Sequence, residues 1–140
     1  MPPPAGLATL HEHASAPLIL VVDDEKDARD TLQVLIGLEG YRVSTAANGA
    51  EAISLAGALR PALVITDLLM PVMDGIALAK ALRADPHLRA TRIVLCSGIP
   101  ERNVRALFSG YDGFLGKPYA LDVLRSMLRQ QAPLLARPGA

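Results

Sequence analysis

The sequence predicts an α/β fold, a (βα)5 chain wound into a five-stranded parallel sheet with helices on both faces. Two observations carry this reading. Short apolar runs recur along the chain, and they are unbroken rather than alternating, as in strands covered on both sides. Between them, apolar residues return at helical spacing, as on a helix that buries one face. Right-handed crossovers then make the strands parallel and place helices on both faces.

The elements follow in order. Residues 1–16 hold Pro, Ala and His without periodicity and read as a disordered tail. Its His11 and His13 lack a third ligand nearby, so two solvated histidines is the better reading than a metal site. Leu18 to Val22 is the first strand, ending in Asp23-Asp24-Glu25. Ala28, Leu32, Leu35 and Ile36 mark the first helix, with Gly40 as its stop. Tyr41 to Ala46 alternates weakly and reads as the second strand. Asn48-Gly49 opens a helix whose apolar face is Ala52, Leu55, Ala56 and Leu59, and Pro61 stops it. The run from Ala62 ends in a lone carboxylate, Asp67, followed by a Met-Pro turn and an Asp-Gly turn. Ile76, Ala79 and Leu82 mark the third helix, ended by Asp85-Pro86. Ile93 to Cys96 is the fourth strand, closed by Ser97-Gly98. A poorer helix covers Glu101 to Phe108, and Gly113 to Gly116 is a short fifth strand leading into Lys117-Pro118. The last helix carries Leu121, Leu124 and Leu128 on one face, and a short tail follows residue 131.

Composition narrows the function classes. The 140 residues suit one domain, here residues 17–131, with short tails. Hydrophobic residues make up 51% and the net charge is +0, so no basic footprint for nucleic acid or an anionic membrane is expected. Cys96 is the single cysteine, which excludes an intramolecular disulfide; a packed, inert thiol is expected. The longest aliphatic run is far too short to cross a bilayer, and no secretion signal is visible. A cytoplasmic domain is expected.

The chemistry gathers at the strand ends. In a parallel sheet the C-terminal ends of the strands share one rim, where ligands bind. The first strand brings Asp23 and Asp24 there, the third Asp67, the fourth Ser97 and the fifth Lys117. Each alone reads as a turn or cap residue. Together, at the ends of four strands, they form a far more specific signal. Three close carboxylates repel one another unless a cation intervenes, and a hard, oxygen-liganded ion such as Mg2+ suits them. Lys117 adds a positive charge and Ser97 a hydroxyl donor, a set that can neutralise the oxygens of a phosphoryl group in flight. Asp67 is the candidate nucleophile, since a carboxylate can form an acyl phosphate.

These residues resemble the receiver domain of two-component response regulators, the CheY-like family. The resemblance rests on Val21-Val22-Asp23-Asp24-Glu25, Asp67-Leu68-Leu69-Met70-Pro71-Val72-Met73-Asp74-Gly75, Ser97-Gly98 and Lys117-Pro118, and it covers residues 17–131. It implies a flavodoxin-like sheet in strand order 2-1-3-4-5. It implies Asp67 as phosphoacceptor from a histidine kinase or histidine phosphotransfer protein. It implies Mg2+ held by Asp24, Asp67 and the Leu69 backbone carbonyl, with Asp23 acting mostly through bound water. Lys117 would contact the phosphoryl group, with a cis Lys117-Pro118 peptide. Ser97 would move to bond a phosphoryl oxygen, and Phe114, at the aromatic switch position, would move inward with it.

Departures from the family pattern sharpen the expectations. Twenty positions separate Ser97 from Lys117, slightly fewer than usual, so the fourth helix or its loops should be truncated. Phe114 lacks the hydroxyl of the commoner Tyr. Leu69 and Ile99 flank the site where polar residues are often found, which implies slow loss of the phosphoryl group. A Mg2+-dependent phosphohydrolase would carry an acid/base Asp two residues after the nucleophile, where this chain has Leu69. A docking module indifferent to phosphorylation would not need the intact set. The expected protein is therefore no enzyme beyond its own phosphorylation and dephosphorylation. Only nine residues follow Gln131, so a stand-alone switch is expected, monomeric or weakly dimeric, acting on an unknown protein target or relaying phosphate.

Overall fold

A computed structural model of the protein describes residues 16–134. Its elements are β1 (Leu18–Val22), α1 (Lys26–Leu38), β2 (Arg42–Ala46), α2 (Gly49–Leu59), β3 (Leu63–Asp67), α3 (Gly75–Ala84), β4 (Arg92–Ser97), α4 (Glu101–Leu107), β5 (Gly113–Gly116) and α5 (Leu121–Gln131). The five strands form one sheet in the order β2-β1-β3-β4-β5, and every pairing is parallel. Both predictions, the (βα)5 alternation and the strand order, hold.

The unbroken apolar runs have the expected cause: side chains alternate across a sheet buried on both faces. Leu20, Val22, Val64, Ile93 and Leu95 point to one side and pack with Ala52 and Ala56 of α2, Leu78 and Leu82 of α3 and Val104 of α4. Ile19, Val21, Leu63, Ile65, Val94 and Cys96 point to the other and meet Leu32 and Ile36 of α1 with Leu124 and Leu128 of α5. The predicted N-terminal tail, with His11 and His13, lies outside the described residues except for Ala16, whose carbonyl accepts from Arg42 Nε. At the other end Ala132 is buried, and Leu134 packs against the α1/α5 side of the core.

Three local expectations change. Tyr41 stands before β2 rather than in it; it is fully buried, and its hydroxyl donates to the Ala132 carbonyl at 2.8 Å. Leu59 and Leu121 leave the predicted helix faces for solvent, because each is the terminal residue of its helix. Met127 joins the buried face of α5 with Leu124 and Leu128. The fourth helix is the shortest of the five described: α4 has 7 residues, and Phe108 leaves it with extended backbone.

Candidate functional site

Each strand end delivers its side chain to the same rim. Asp23 follows β1; its amide donates to the Ala46 carbonyl of β2 at 3.1 Å, which carries the sheet ladder one residue further. Its Oδ1 accepts from the Glu25 amide at 2.9 Å, while Glu25, at the N-cap of α1, makes no side-chain cap. The acidic pair is therefore not consumed in capping α1. Asp67 closes β3 opposite Cys96 of β4. Ser97 closes β4, and its carbonyl accepts from the Lys117 amide at 2.8 Å, which places Lys117 directly after β5. Lys117 Nζ reaches back to Asp67 Oδ1 at 2.6 Å. The Lys117-Pro118 peptide is cis, as the resemblance implied.

Asp23, Asp24 and Asp67 each place one carboxylate oxygen within 4.8 Å of the other two. Asp23 is buried, Asp67 half-buried and Asp24 exposed, so the cluster opens outward. Burial lifts the Asp23 carboxyl above its ordinary range, the Glu25 amide works against this, and the charge of Asp67 adds to it. For Lys117, burial pulls the ammonium down, but the Asp67 hydrogen bond and charge, with Asp23 behind them, outweigh it and the net shift is upward. Three carboxylates against one ammonium leave excess negative charge on one rim. An all-oxygen donor set of this kind fits a hard divalent cation.

The remaining predicted residues sit as follows. Ser97 is buried, and its Oγ accepts from the Ile99 amide at 2.9 Å, which leaves the hydroxyl proton free to donate. Phe114 is half-buried on β5, with its ring centroid 6.1 Å from that of Tyr111. Leu69 is 65% exposed, whereas Ile99 packs against the core. Asp74, the other carboxylate of the motif, caps α3 through the Ala77 amide at 2.8 Å and takes no part in the cluster. Cys96 is buried as expected, and burial pushes its thiol up to about 12.

Three features of the site escaped the sequence reading. Gly75 is required by closeness: a Cβ there would stand 2.5 Å from the Asp67 carbonyl oxygen and 3.0 Å from Leu68 Cα. Backbone cannot swing aside as a side chain can, so only glycine lets α3 start against the end of β3. Val72 holds a left-handed φ of 68° and is fully exposed. Tyr119 is half-buried beside Lys117-Pro118 and lines, with Asp23, Asp27, Thr31 and Lys117, a cleft of about 310 Å3 along α1. Burial holds its phenol up near 12. A motif can advertise a glycine, but it carries no distance to the neighbouring strand.

Among the described residues no helix is long and apolar enough to cross a membrane. The family model for the response regulator receiver domain matches residues 19–129. The transcriptional regulatory protein PrrA of Mycobacterium leprae is 39% identical over 127 residues, which are 90% of this chain and 53% of that protein. The chain thus spans about half the length of the curated relatives it matches. Among solved structures, the chemotaxis protein CheY4 of Vibrio cholerae matches with a TM-score of 0.76 and 31% identity, over 84% of this chain and 99% of that one. The response regulator TrrA of Thermotoga maritima, solved in complex with Mg(2+)-BeF, matches with a TM-score of 0.75 and 29% identity, over 82% of this chain and 98% of that one.

Proposed function

Since the chain belongs to the response regulator receiver family of two-component signalling, we propose that it is a switch that takes a phosphoryl group onto Asp67 from a phosphohistidine donor in a Mg2+-dependent reaction. The observation that carries the reading is the convergence of Asp23, Asp24, Asp67 and Lys117 at one rim. The Mg(2+)-BeF complex of TrrA supports the choice of ion. Asp24, Asp67 and the Leu69 carbonyl would hold the cation, with Asp23 acting mostly through bound water. Its chemistry there is charge neutralisation, which lets a phosphoryl group approach a carboxylate.

The chain's own residues then account for the transfer. One Asp67 carboxylate oxygen attacks phosphorus in line, the bond from phosphorus to the donor imidazole breaks, and its electron pair leaves with the imidazole. Lys117 shifts from Asp67 onto the phosphoryl oxygens, where its ammonium offsets the developing charge. Ser97 turns its free hydroxyl proton toward another of those oxygens. Phe114 moves inward behind it, and the β4–α4–β5 face changes shape. Turnover is confined to the protein's own aspartate: two residues beyond Asp67 stands the apolar Leu69, which can carry no proton to or from a leaving group. Output passes by contact, either to another protein or to a further segment of a longer regulator. The 53% share of PrrA keeps the second route beside the stand-alone one, and nucleic acid enters only through such a segment.

The test is phosphorylation with acetyl phosphate or phosphoramidate, with and without Mg2+, read by intact mass. Wild-type protein should gain one phosphoryl group only with Mg2+, and Asp67→Asn should gain none. A wild type that stays unmodified with either donor, or a mutant that is still modified, overturns the reading.

A further inference from the structure

The loop from Asp67 to α3 is pinned at three places. At its start the Leu68 amide donates to the Cys96 carbonyl at 2.9 Å, and at its end the Gly75 amide donates to the Leu68 carbonyl at 2.8 Å. The third pin is a side chain. Half-buried Met73 crosses from this loop onto the first turn of α2, where the residue is Gly49. A Cβ at position 49 would stand 2.5 Å from Met73 Sδ, 2.8 Å from Cγ and 3.0 Å from Cβ. The sulfur and Cγ can swing to another rotamer, but Cβ moves only with the backbone.

Gly49 is not a glycine for reasons of its own conformation. Its φ is not in the left-handed region, and it is the first residue of α2, a position that does not itself call for glycine. The space it leaves is filled by Met73. The loop between the pins also needs holding. Val72 is β-branched, sits at φ 68° and is fully exposed, while the Met73 amide donates to the Pro71 carbonyl at 2.8 Å across it. Such backbone persists only where the flanking contacts over-determine it. Val72 has no packing to supply that, and the next residue is Met73.

We propose that Met73, seated on Gly49, is a positioning residue for the acidic rim: it fixes the 68–75 loop so that Asp67 and the Leu69 carbonyl keep the geometry a cation requires. The inference rests on the reading of the rim as a Mg2+ site. Mg2+ demands near-ideal octahedral geometry, so a loop displaced by a few tenths of an ångström loses affinity without losing its ligands.

The test is calorimetric titration of Mg2+ into the wild-type protein, Gly49→Ala, Met73→Ala, Met73→Leu and the Gly49→Ala/Met73→Ala pair. Thermal unfolding without Mg2+ and phosphorylation from acetyl phosphate across Mg2+ concentrations accompany it. Gly49→Ala and Met73→Ala should each weaken Mg2+ by about tenfold, the low end of what losing an outer support costs a metal site. Met73→Leu should bind nearly as wild type, and the pair should be no weaker than Met73→Ala alone. The phosphorylation rate should recover at saturating Mg2+. Gly49→Ala should unfold somewhat earlier without Mg2+, because the added Cβ crowds Met73, but by less than its loss of Mg2+ affinity. Wild-type affinity in Gly49→Ala and Met73→Ala overturns the inference, as does a weakening fully matched by the earlier Mg2+-free unfolding. A wild type that binds no Mg2+ overturns the site reading beneath it and the inference together.

Discussion

Lys117 Nζ lies 2.6 Å from Asp67 Oδ1. A carboxylate has two oxygens, and in the proposed reaction three claimants compete for them: the ammonium, the cation and the incoming phosphorus. Lys117 must therefore give up Asp67 as the reaction proceeds. Its side chain is 40% exposed, so solvent screens the pair and the contact is not costly to break.

This competition predicts opposite effects of one substitution. Lys117→Met removes a positive charge and a rival for Asp67, so Mg2+ should bind more tightly. The same change removes a charge that offsets the phosphoryl oxygens, so phosphorylation from acetyl phosphate should slow by about 100- to 1,000-fold. Mg2+ titration and intact-mass kinetics on one preparation decide it. Weaker Mg2+ binding together with slower phosphorylation would mean that Lys117 holds the rim together rather than competing within it.

Leu69 and Ile99 predict a long-lived phosphorylated state. Hydrolysis needs a water held in line with the acyl phosphate, and neither side chain can hydrogen-bond one. Leu69 is open to solvent, so water reaches the rim without being oriented there. Replacing Leu69 with Asn and Ile99 with Gln should speed phosphate loss by about tenfold, a modest share of what a positioned polar group contributes to proton transfer. Ile99 packs against the core, so the pair should also lose some stability. Decay of the phosphorylated mass at the wild-type rate would remove Leu69 and Ile99 from the account.

The rim was legible in the sequence because a parallel sheet converts sequence position into place. Once Asp23, Asp24, Asp67, Ser97 and Lys117 fall at strand ends, convergence follows without any distance being known. Distances were the part that could not be read. Gly75 and Gly49 appear as glycines after a turn and a cap residue, yet a Cβ at either would stand 2.5 Å from another atom, the Asp67 carbonyl oxygen or Met73 Sδ. Helical spacing marked the right face for Leu59 and Leu121 but not where the cover of that face ends. Arg83 was silent altogether, since its partners are backbone carbonyls that the sequence cannot rank.

Arg83 closes the edge of the sheet opposite the rim. Its guanidinium donates to the carbonyls of Gly110 at 3.1 Å, Arg89 at 2.9 Å and Thr91 at 2.6 Å, and to Asp112 Oδ2 at 2.7 Å. Asp112 Oδ2 also accepts from the Ile93 amide at 2.7 Å, so one side chain of α3 ties together the entries to β4 and β5. Arg83→Ala should cost about 2–3 kcal/mol in urea unfolding, because it leaves Asp112 and three carbonyls short of a donor. Arg83→Lys should restore little of this, since an ammonium cannot span the fork. A loss below about 0.5 kcal/mol would show that water replaces the clamp.

Burial of Cys96 predicts an alkaline limit on the fold. Burial raises its thiol from an ordinary value near 9 to about 12. Tyr119, raised to about 12 by burial, and Lys117, raised on balance, act with the same sign. A folded state that holds its proton above the pH at which the unfolded chain releases it binds more protons than that chain, so stability falls as pH rises. For Cys96 the contribution is complete below about pH 9 and is lost progressively toward pH 12. Between about pH 8 and about pH 10.5 its share is on the order of 1–2 kcal/mol. Cys96→Ala should start less stable, through the cavity it leaves. It should then lose less between those two pH values than the wild type, with Tyr119 and Lys117 supplying what loss remains. Urea midpoints at both pH values measure it, and equal losses in the two proteins would place the alkaline limit in those other groups.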